Sequence, residues 1–269
     1  SAKLQVGHPP GAPLFQMLGA IFSTFAFESD QIALSINMMS VTSSALTILF
    51  LFWSISHLIK GFVSLKKNIS IIEAIKIFGS STLGSLTFTF TDSFWYNAVE
   101  AEVYAMASLI LSLLFWLGLK WVENIESERG DKWLILISFV IGLSFGVHFM
   151  GLLAIPAIGL LYYFKKYTFK LGSFLLANII SISILLFIFK LLLPTTLSIF
   201  GYVEVFFVNE IGLPFNYGTI FSAIILILTI YYLLNKSFRE NKYMLNTITL
   251  CVTFIFIGFS SWLMIPIRS

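Results

Sequence analysis

The residues from Asp92 to Tyr104 read Asp-Ser-Phe-Trp-Tyr-Asn-Ala-Val-Glu-Ala-Glu-Val-Tyr, so that Asp92, Glu100 and Glu102 share one short segment with Asn97, Trp95 and Tyr104. Carboxylates gathered beside an apolar run are costly to keep at a membrane edge and mark a functional candidate. Glu100 and Glu102 are also the candidate ligands for a divalent cation. On a helix they would diverge by roughly 200°, so both reach one ion only if the backbone there is extended. A second stretch, Val6-Gly7-His8-Pro9-Pro10-Gly11-Ala12-Pro13, fixes irregular backbone next to a histidine. Irregular backbone at membrane depth survives where it is buried in protein or lines a wet cavity. Two single residues complete the candidates: His148, in the turn Gly146-Val147-His148, and Arg268, a cation able to clamp an anionic headgroup.

Each candidate also has a structural explanation. Asn97-x-x-Glu100 fits a capping box that opens the next helix, with Trp95 and Tyr96 as interfacial rings. His8, Pro9 and Pro10 fit a helix-entry turn. His148 fits a hydrogen-bonded interfacial histidine. Arg268 and Lys190 fit cations that snorkel at helix ends. Gly79, Ser80, Ser81, Gly84 and Ser85 fit close helix packing. Zinc-type spacing, phosphate-cradling glycine loops, nucleophile elbows and dinucleotide fingerprints are absent from the sequence.

The elements that must position these residues follow from composition. Hydrophobic residues make up 58% of the 269 residues and charged ones 11%, against about 25% charged in an ordinary soluble domain. One aqueous core cannot hide that much apolar surface, so lipid is the main solvent. The expected fold class is all-α: a polytopic transmembrane helical bundle forming one domain over 1–269. On a ruler of about 20 apolar residues per span, about eight spans fall near 31–59, 71–91, 102–121, 133–147, 150–164, 171–193, 218–235 and 244–264. The fourth and fifth form either a tight hairpin or one long broken helix. Residues 9–27 read as an interfacial or re-entrant helix, and the aromatic 194–217 connection as the largest outer loop, with a helix resting at the interface.

Four connections carry three Lys/Arg each: Lys60, Lys66 and Lys67; Lys120, Arg129 and Lys132; Lys165, Lys166 and Lys170; Lys236, Arg239 and Lys242. They alternate with connections poor in Lys/Arg, which the positive-inside rule reads as four cytoplasmic turns. Seven acids, Glu28, Asp30, Asp92, Glu100, Glu102, Glu204 and Glu210, then fall on the outer side. The net charge of +3 is dispersed between apolar runs and forms no basic patch, so nucleic acid is not an expected partner. The single cysteine, Cys251, lies in an apolar run and allows no internal disulfide.

The runs His8-Pro9-Pro10-Gly11-Ala12-Pro13-Leu14 and Asp92 to Tyr104, with Gly146-Val147-His148 and Ile265-Pro266-Ile267-Arg268-Ser269, resemble the protein O-mannosyltransferase-like family of bacterial membrane proteins within the GT-C glycosyltransferases. The resemblance runs over essentially the whole chain. It implies a GT-C-like bundle in a bacterial inner membrane, with its active side toward the periplasm. It also implies transfer of a sugar from a polyprenyl-phosphate donor to an acceptor hydroxyl on a protein or glycan. Membrane lipids are further partners, and a divalent cation is a candidate cofactor. The family's catalytic carboxylate lies in an acidic loop motif after a first span. Both would precede Ser1, so the chain reads as a fragment and its catalytic residue stays unassigned. His8, Pro9, Pro10, Asp92, Trp95, Asn97, Glu100, Glu102, Tyr104, His148 and Arg268 become candidates for holding the lipid-phosphate end of the donor. A lipid-substrate flippase and a non-catalytic scaffold are the alternatives. A flippase, however, calls for polar groups near mid-bilayer and paired broken helices, whereas these polar clusters sit at one edge.

Overall fold

A computed structural model describes residues 2–5, 11–63 and 69–265; His8, Pro9, Pro10 and Arg268 therefore lie outside the described residues. Those described contain helices and turns and no strand. In order they are α1 (Pro13–Ser23), α2 (Ile32–Val63), α3 (Ile71–Thr89), α4 (Asp92–Val99), α5 (Val103–Asn124), α6 (Asp131–Ser144), α7 (Ala154–Lys166), α8 (Leu171–Leu186), α9 (Leu193–Asn209), α10 (Tyr217–Arg239) and α11 (Tyr243–Phe259). Six segments are long and apolar enough to cross a membrane: Ser29–Val63, Val103–Asn124, Phe149–Lys166, Leu171–Asn209, Tyr217–Arg239 and Tyr243–Leu263. The sequence count of about eight included α3 and α6. The first carries Glu73 and Lys76 and many Gly, Ser and Thr residues; the second has 14 residues, short of a full crossing.

The surface chemistry is that of a protein dissolved in lipid. Along α2 the buried positions include Ser40, Ser43, Ser44, Thr47 and Ser54, and along α3 they include Ser81 and Ser85. Ile179, Leu176, Ile227, Leu228 and Phe62, by contrast, stand exposed. Small side chains let helix axes approach, while lipid leaves no reason to hide Leu or Ile. Some of the buried hydroxyls bond within their own helices, whereas those of Ser40, Ser44 and Ser54 find no partner among the described residues. Thr47 donates to the Ser43 carbonyl at 2.8 Å, Ser81 to Ile77 at 2.6 Å and Ser85 to Ser81 at 2.7 Å. Only part of the small-residue set named for packing is used this way: Gly79, Ser80 and Gly84 are exposed. A capping box starts α3, with Ser70 Oγ accepting from the Glu73 N–H and the Glu73 carboxylate accepting from the Ser70 N–H.

Two compact units result, Ser1–Ala154 with Ile255–Ser269, and Ile155–Phe254. In the first, α2 packs against α1, α3, α4 and α5. The C-terminal end of α11 crosses α6 with backbone on backbone. A Cβ built on Gly142 would strike the Ile255 carbonyl and come within 3.0 Å of the Gly258 Cα, and one on Gly258 would strike the Phe139 carbonyl.

In the second unit α8 does not end where the apolar run suggested. It passes through a π-helical stretch, Phe187–Leu192, into α9, so that Leu171–Asn209 forms one helical path of 39 residues. At about 1.5 Å per residue this is nearly twice the ~30 Å hydrocarbon core. The helix expected in the 194–217 connection is present as far as Asn209, continuous with α8. Pro194 explains the wide turn: in a regular α-helix its ring would crowd the Lys190 carbonyl, to which it offers no N–H. Helices α9 and α10 then form a hairpin. The Glu204 carboxylate accepts from the Asn216 N–H at 2.6 Å, the Thr219 N–H at 2.7 Å and the Thr219 hydroxyl at 3.0 Å. It thereby occupies free donors at the start of α10. A Cβ on Gly218 would lie 2.5 Å from the Glu204 Cα and 2.7 Å from the Val203 carbonyl. Gly218→Ala is expected to part this hairpin. Limited proteolysis of the 210–216 turn should then quicken severalfold over wild type, and an unchanged cleavage rate would show that α9 and α10 tolerate the extra carbon.

Candidate functional site

The Asp92–Tyr104 segment is built as a short helix, a tight link and the start of a long helix. Apolar rings anchor it. Phe94 is buried, its ring 4.8 Å from that of Phe88, and Trp95 stacks on Phe90 at 6.1 Å. Asp92 opens α4, where a carboxylate complements the helix dipole. Asn97 is itself helical and donates from Nδ2 to the Ser93 carbonyl at 2.8 Å. The capping-box reading of Asn97 and Glu100 is thus overturned: α5 starts five residues later than that reading requires, at Val103 and not Ala98, with Glu102 in the cap position. Two helices separated by a link replace the single helix start, because α4 closes on its own internal hydrogen bonds before α5 can begin.

The link between α4 and α5 is not helical. Glu100 (φ −110°, ψ 142°) and Glu102 (φ −112°, ψ 156°) are extended, and the Glu102 N–H donates to the Glu100 carbonyl at 2.8 Å across Ala101. That bond closes a tight three-residue turn at Ala101, so the helical spacing that would set the two carboxylates roughly 200° apart does not apply here. Asp92, Trp95, Glu100, Glu102 and Tyr104 are all exposed. Among the described residues no ion pair or side-chain hydrogen bond occupies either glutamate, and no group of three or more His, Cys, Asp or Glu side chains converges to form a metal cage.

Tyr104 joins this segment to His148, with ring centroids 5.7 Å apart. His148 caps the 3₁₀ turn Phe149–Leu153: its Nδ1 accepts from the Met150 N–H at 3.2 Å, and its ring stacks on Phe149 at 4.5 Å. Because Nδ1 spends its lone pair on that bond, the neutral ring carries its proton on Nε2. His148→Ala leaves the Met150 N–H unpaired and is expected to cost about 1 kcal/mol, whereas His148→Asn, a good cap, should recover most of it. Thermal unfolding of the two variants in detergent checks this; equal loss in both would refute the capping role.

Two residues before His148 lies a junction that the sequence did not reveal. The Gly146 carbonyl accepts from both the Leu14 N–H (2.8 Å) and the Phe15 N–H (3.2 Å), so it satisfies two of the free donors at the N-terminus of α1. Trp262 Nε1 donates to the neighbouring Phe145 carbonyl at 2.9 Å. A Cβ on Gly146 would strike Ser261 and lie 2.7 Å from the Leu14 Cβ. Gly11, at φ 90°, faces Ile265. The described neighbours of the His8–Pro10 stretch and of Arg268 are thereby brought together at the His148 turn. Lys190 belongs to the other unit, where its Nζ rests 5.0 Å from the Phe189 ring centroid.

Lipid-facing helices packed through serines and glycines, with their exposed acids at helix ends, define an integral membrane protein of the polytopic all-α class. Within that class, residues 1–171 match the Protein O-mannosyl-transferase TMEM260 N-terminal domain, and the chain belongs to that family. It is 26% identical over 162 residues to Protein O-mannosyl-transferase tmem260 of Dictyostelium discoideum, a match covering 56% of this chain and 18% of that relative. Over 145 residues it is 26% identical to Protein O-mannosyl-transferase TMEM260 of Mus musculus, covering 53% of this chain and 18% of the relative. The chain thus spans about a fifth of the length of these curated relatives. No solved structure matches it.

Proposed function

We propose that this chain is the membrane domain of an O-mannosyltransferase that takes its sugar from a polyprenyl-phosphate donor on the extracytoplasmic side of a bacterial inner membrane. The observation that supports the reading is the exposed Glu100–Glu102 link, joined through Tyr104 to the His148 turn in a chain of this family. In the reaction an acceptor hydroxyl oxygen on a protein or glycan bonds to the anomeric carbon. The bond from that carbon to the phosphate oxygen breaks, and the lipid phosphate leaves with the bonding pair. The hydroxyl proton passes to a base that is not assigned to any described residue.

The chain's own residues act on the donor. His148, whose Nδ1 is engaged by the Met150 N–H, would offer its Nε2–H to a phosphate oxygen as negative charge develops there. Trp95 and Tyr104 supply rings at the level where the prenyl chain meets its headgroup. Glu100 and Glu102 match the one or two carboxylates with which Mg²⁺ is commonly held beside a substrate phosphate. Such an ion would supply charge neutralisation of the departing phosphate.

The test uses the full-length protein in liposomes with labelled polyprenyl-phosphate mannose and an acceptor protein. Label on the acceptor is the expected result. Movement of the donor across the bilayer without transfer would replace the enzyme by a flippase, and neither event would leave a scaffold.

A further inference from the structure

A second polar cluster lies at the far end of α5. Lys120 is 16 residues beyond Tyr104, about 24 Å along the helix axis, which brings it close to the other face of a ~30 Å hydrocarbon core. Here α2, α3 and α5 enclose a cleft of about 380 Å³ lined by Trp53, Ser56, His57, Phe78, Trp116 and Lys120. Its walls are aromatic: the Trp53 and Trp116 rings lie 5.4 Å apart. Its rim is charged: Lys120 Nζ meets the Glu123 carboxylate at 2.9 Å, and His57 Nδ1 lies 4.0 Å from the same oxygen. Lys60 follows His57 by one helical turn. The Ser56 Oγ is shut off from solvent and has no hydrogen-bond partner among the described residues.

We propose that this cleft binds an anionic phospholipid, with the headgroup phosphate at Lys120, His57 and Lys60 and an acyl chain laid along the contacting Trp53 and Trp116 rings. Trp53 and Phe78 are 40% and 52% exposed, so the cleft opens toward lipid along a wall that they form with Trp116. Two lysines against one glutamate leave the rim cationic, so the complementary ligand is an anion. A hollow walled by three helices at interfacial depth demands that the anion carry a hydrocarbon tail. Basic pockets between transmembrane helices take lipid headgroups by the same logic. The site is separate from the Glu100–His148 region and does not depend on the transferase reading.

The experiment is native mass spectrometry of the purified full chain, released from nanodiscs containing equal amounts of phosphatidylglycerol and phosphatidylcholine with matched acyl chains. Retained phosphatidylglycerol should exceed phosphatidylcholine, and Lys120→Gln should lower its retention about fivefold. Lys120→Arg should restore it, and Lys165→Gln, which changes a lysine of the other unit, should leave it unchanged. Equal retention of both lipids overturns the proposal. So does an equal loss in Lys165→Gln, which would mean diffuse surface charge. Protection against heat by inorganic phosphate as strong as that by phosphatidylglycerol would also overturn it, in favour of a free anion. Should Lys120→Gln fail to fold, Trp116→Leu supplies the second reading: it keeps every charge, and unaltered phosphatidylglycerol retention in it would sink the acyl-chain half of the site.

Discussion

Gly142→Leu is expected to prevent the chain from accumulating as a monodisperse species in detergent. At Gly142 the α11 backbone itself occupies the place of a side chain, with the Ile255 carbonyl inside contact distance of any Cβ and the Gly258 Cα at 3.0 Å. A flexible neighbour might swing aside; a carbonyl inside a helix cannot move without its helix. Even Gly142→Ala should be destabilising by more than the ~1–3 kcal/mol usual for overpacking, because both partners are backbone. Gly201 is the internal control. It lies in α9 with open space where a Cβ would go, so Gly201→Ala should stabilise by about 0.5–1 kcal/mol through helix propensity. Melting of the three variants, followed by size-exclusion chromatography after heating, reads the contrast. A normal melting temperature for Gly142→Ala would mean that α6 and α11 do not cross as described.

The second large effect concerns activity. The double variant Glu100→Gln, Glu102→Gln in the full-length protein is expected to lower mannosyl transfer on the order of 10²-fold or more, the scale seen when a group that stabilises transition-state charge is removed. Both side chains are exposed and free of structural ion pairs among the described residues, so melting temperature and expression should be unaltered. That separation is what gives the experiment its force: loss of transfer without loss of fold places the pair in the chemistry. If the pair acts by holding a cation, each single variant should shift the dependence of rate on Mg²⁺ concentration. Wild-type turnover in the double variant would remove both glutamates from the mechanism.

What the sequence revealed and what it hid divide along physical lines. Composition alone dictates helices in lipid, and the capped and apolar runs mark most helix bodies. Their ends were less legible. The apolar run stops near Leu193, yet the helix continues to Asn209, since a π turn absorbs Pro194 and nothing in hydropathy reports that accommodation. Among the candidate site residues, the acidic segment was visible from its residue types. Its backbone was not: Asn97-x-x-Glu100 satisfies the pattern of a capping box, and only the Asn97 bond to Ser93 shows that a separate helix has already formed there. Gly146 was legible as part of a motif but not as an acceptor, because a backbone carbonyl has no letter in a sequence. The His57–Lys120–Glu123 cluster was hidden differently. His57 stands more than 60 positions from Lys120 and Glu123 along the chain, and only the packing of α2 on α5 makes them neighbours.

The paired bonds from Leu14 and Phe15 to Gly146 set a timetable for biogenesis. The donors leave the ribosome long before their acceptor; at roughly 5–20 residues per second the delay is on the order of ten seconds. Throughout that interval the start of α1 has two amide hydrogens with no protein partner, and Trp262, which fastens the adjacent carbonyl, comes later still. The start of α1 is therefore locked only after residue 146 has been made. A chain stalled or truncated before residue 146 should expose this helix to membrane proteases, which would make its protection a readout of completed assembly.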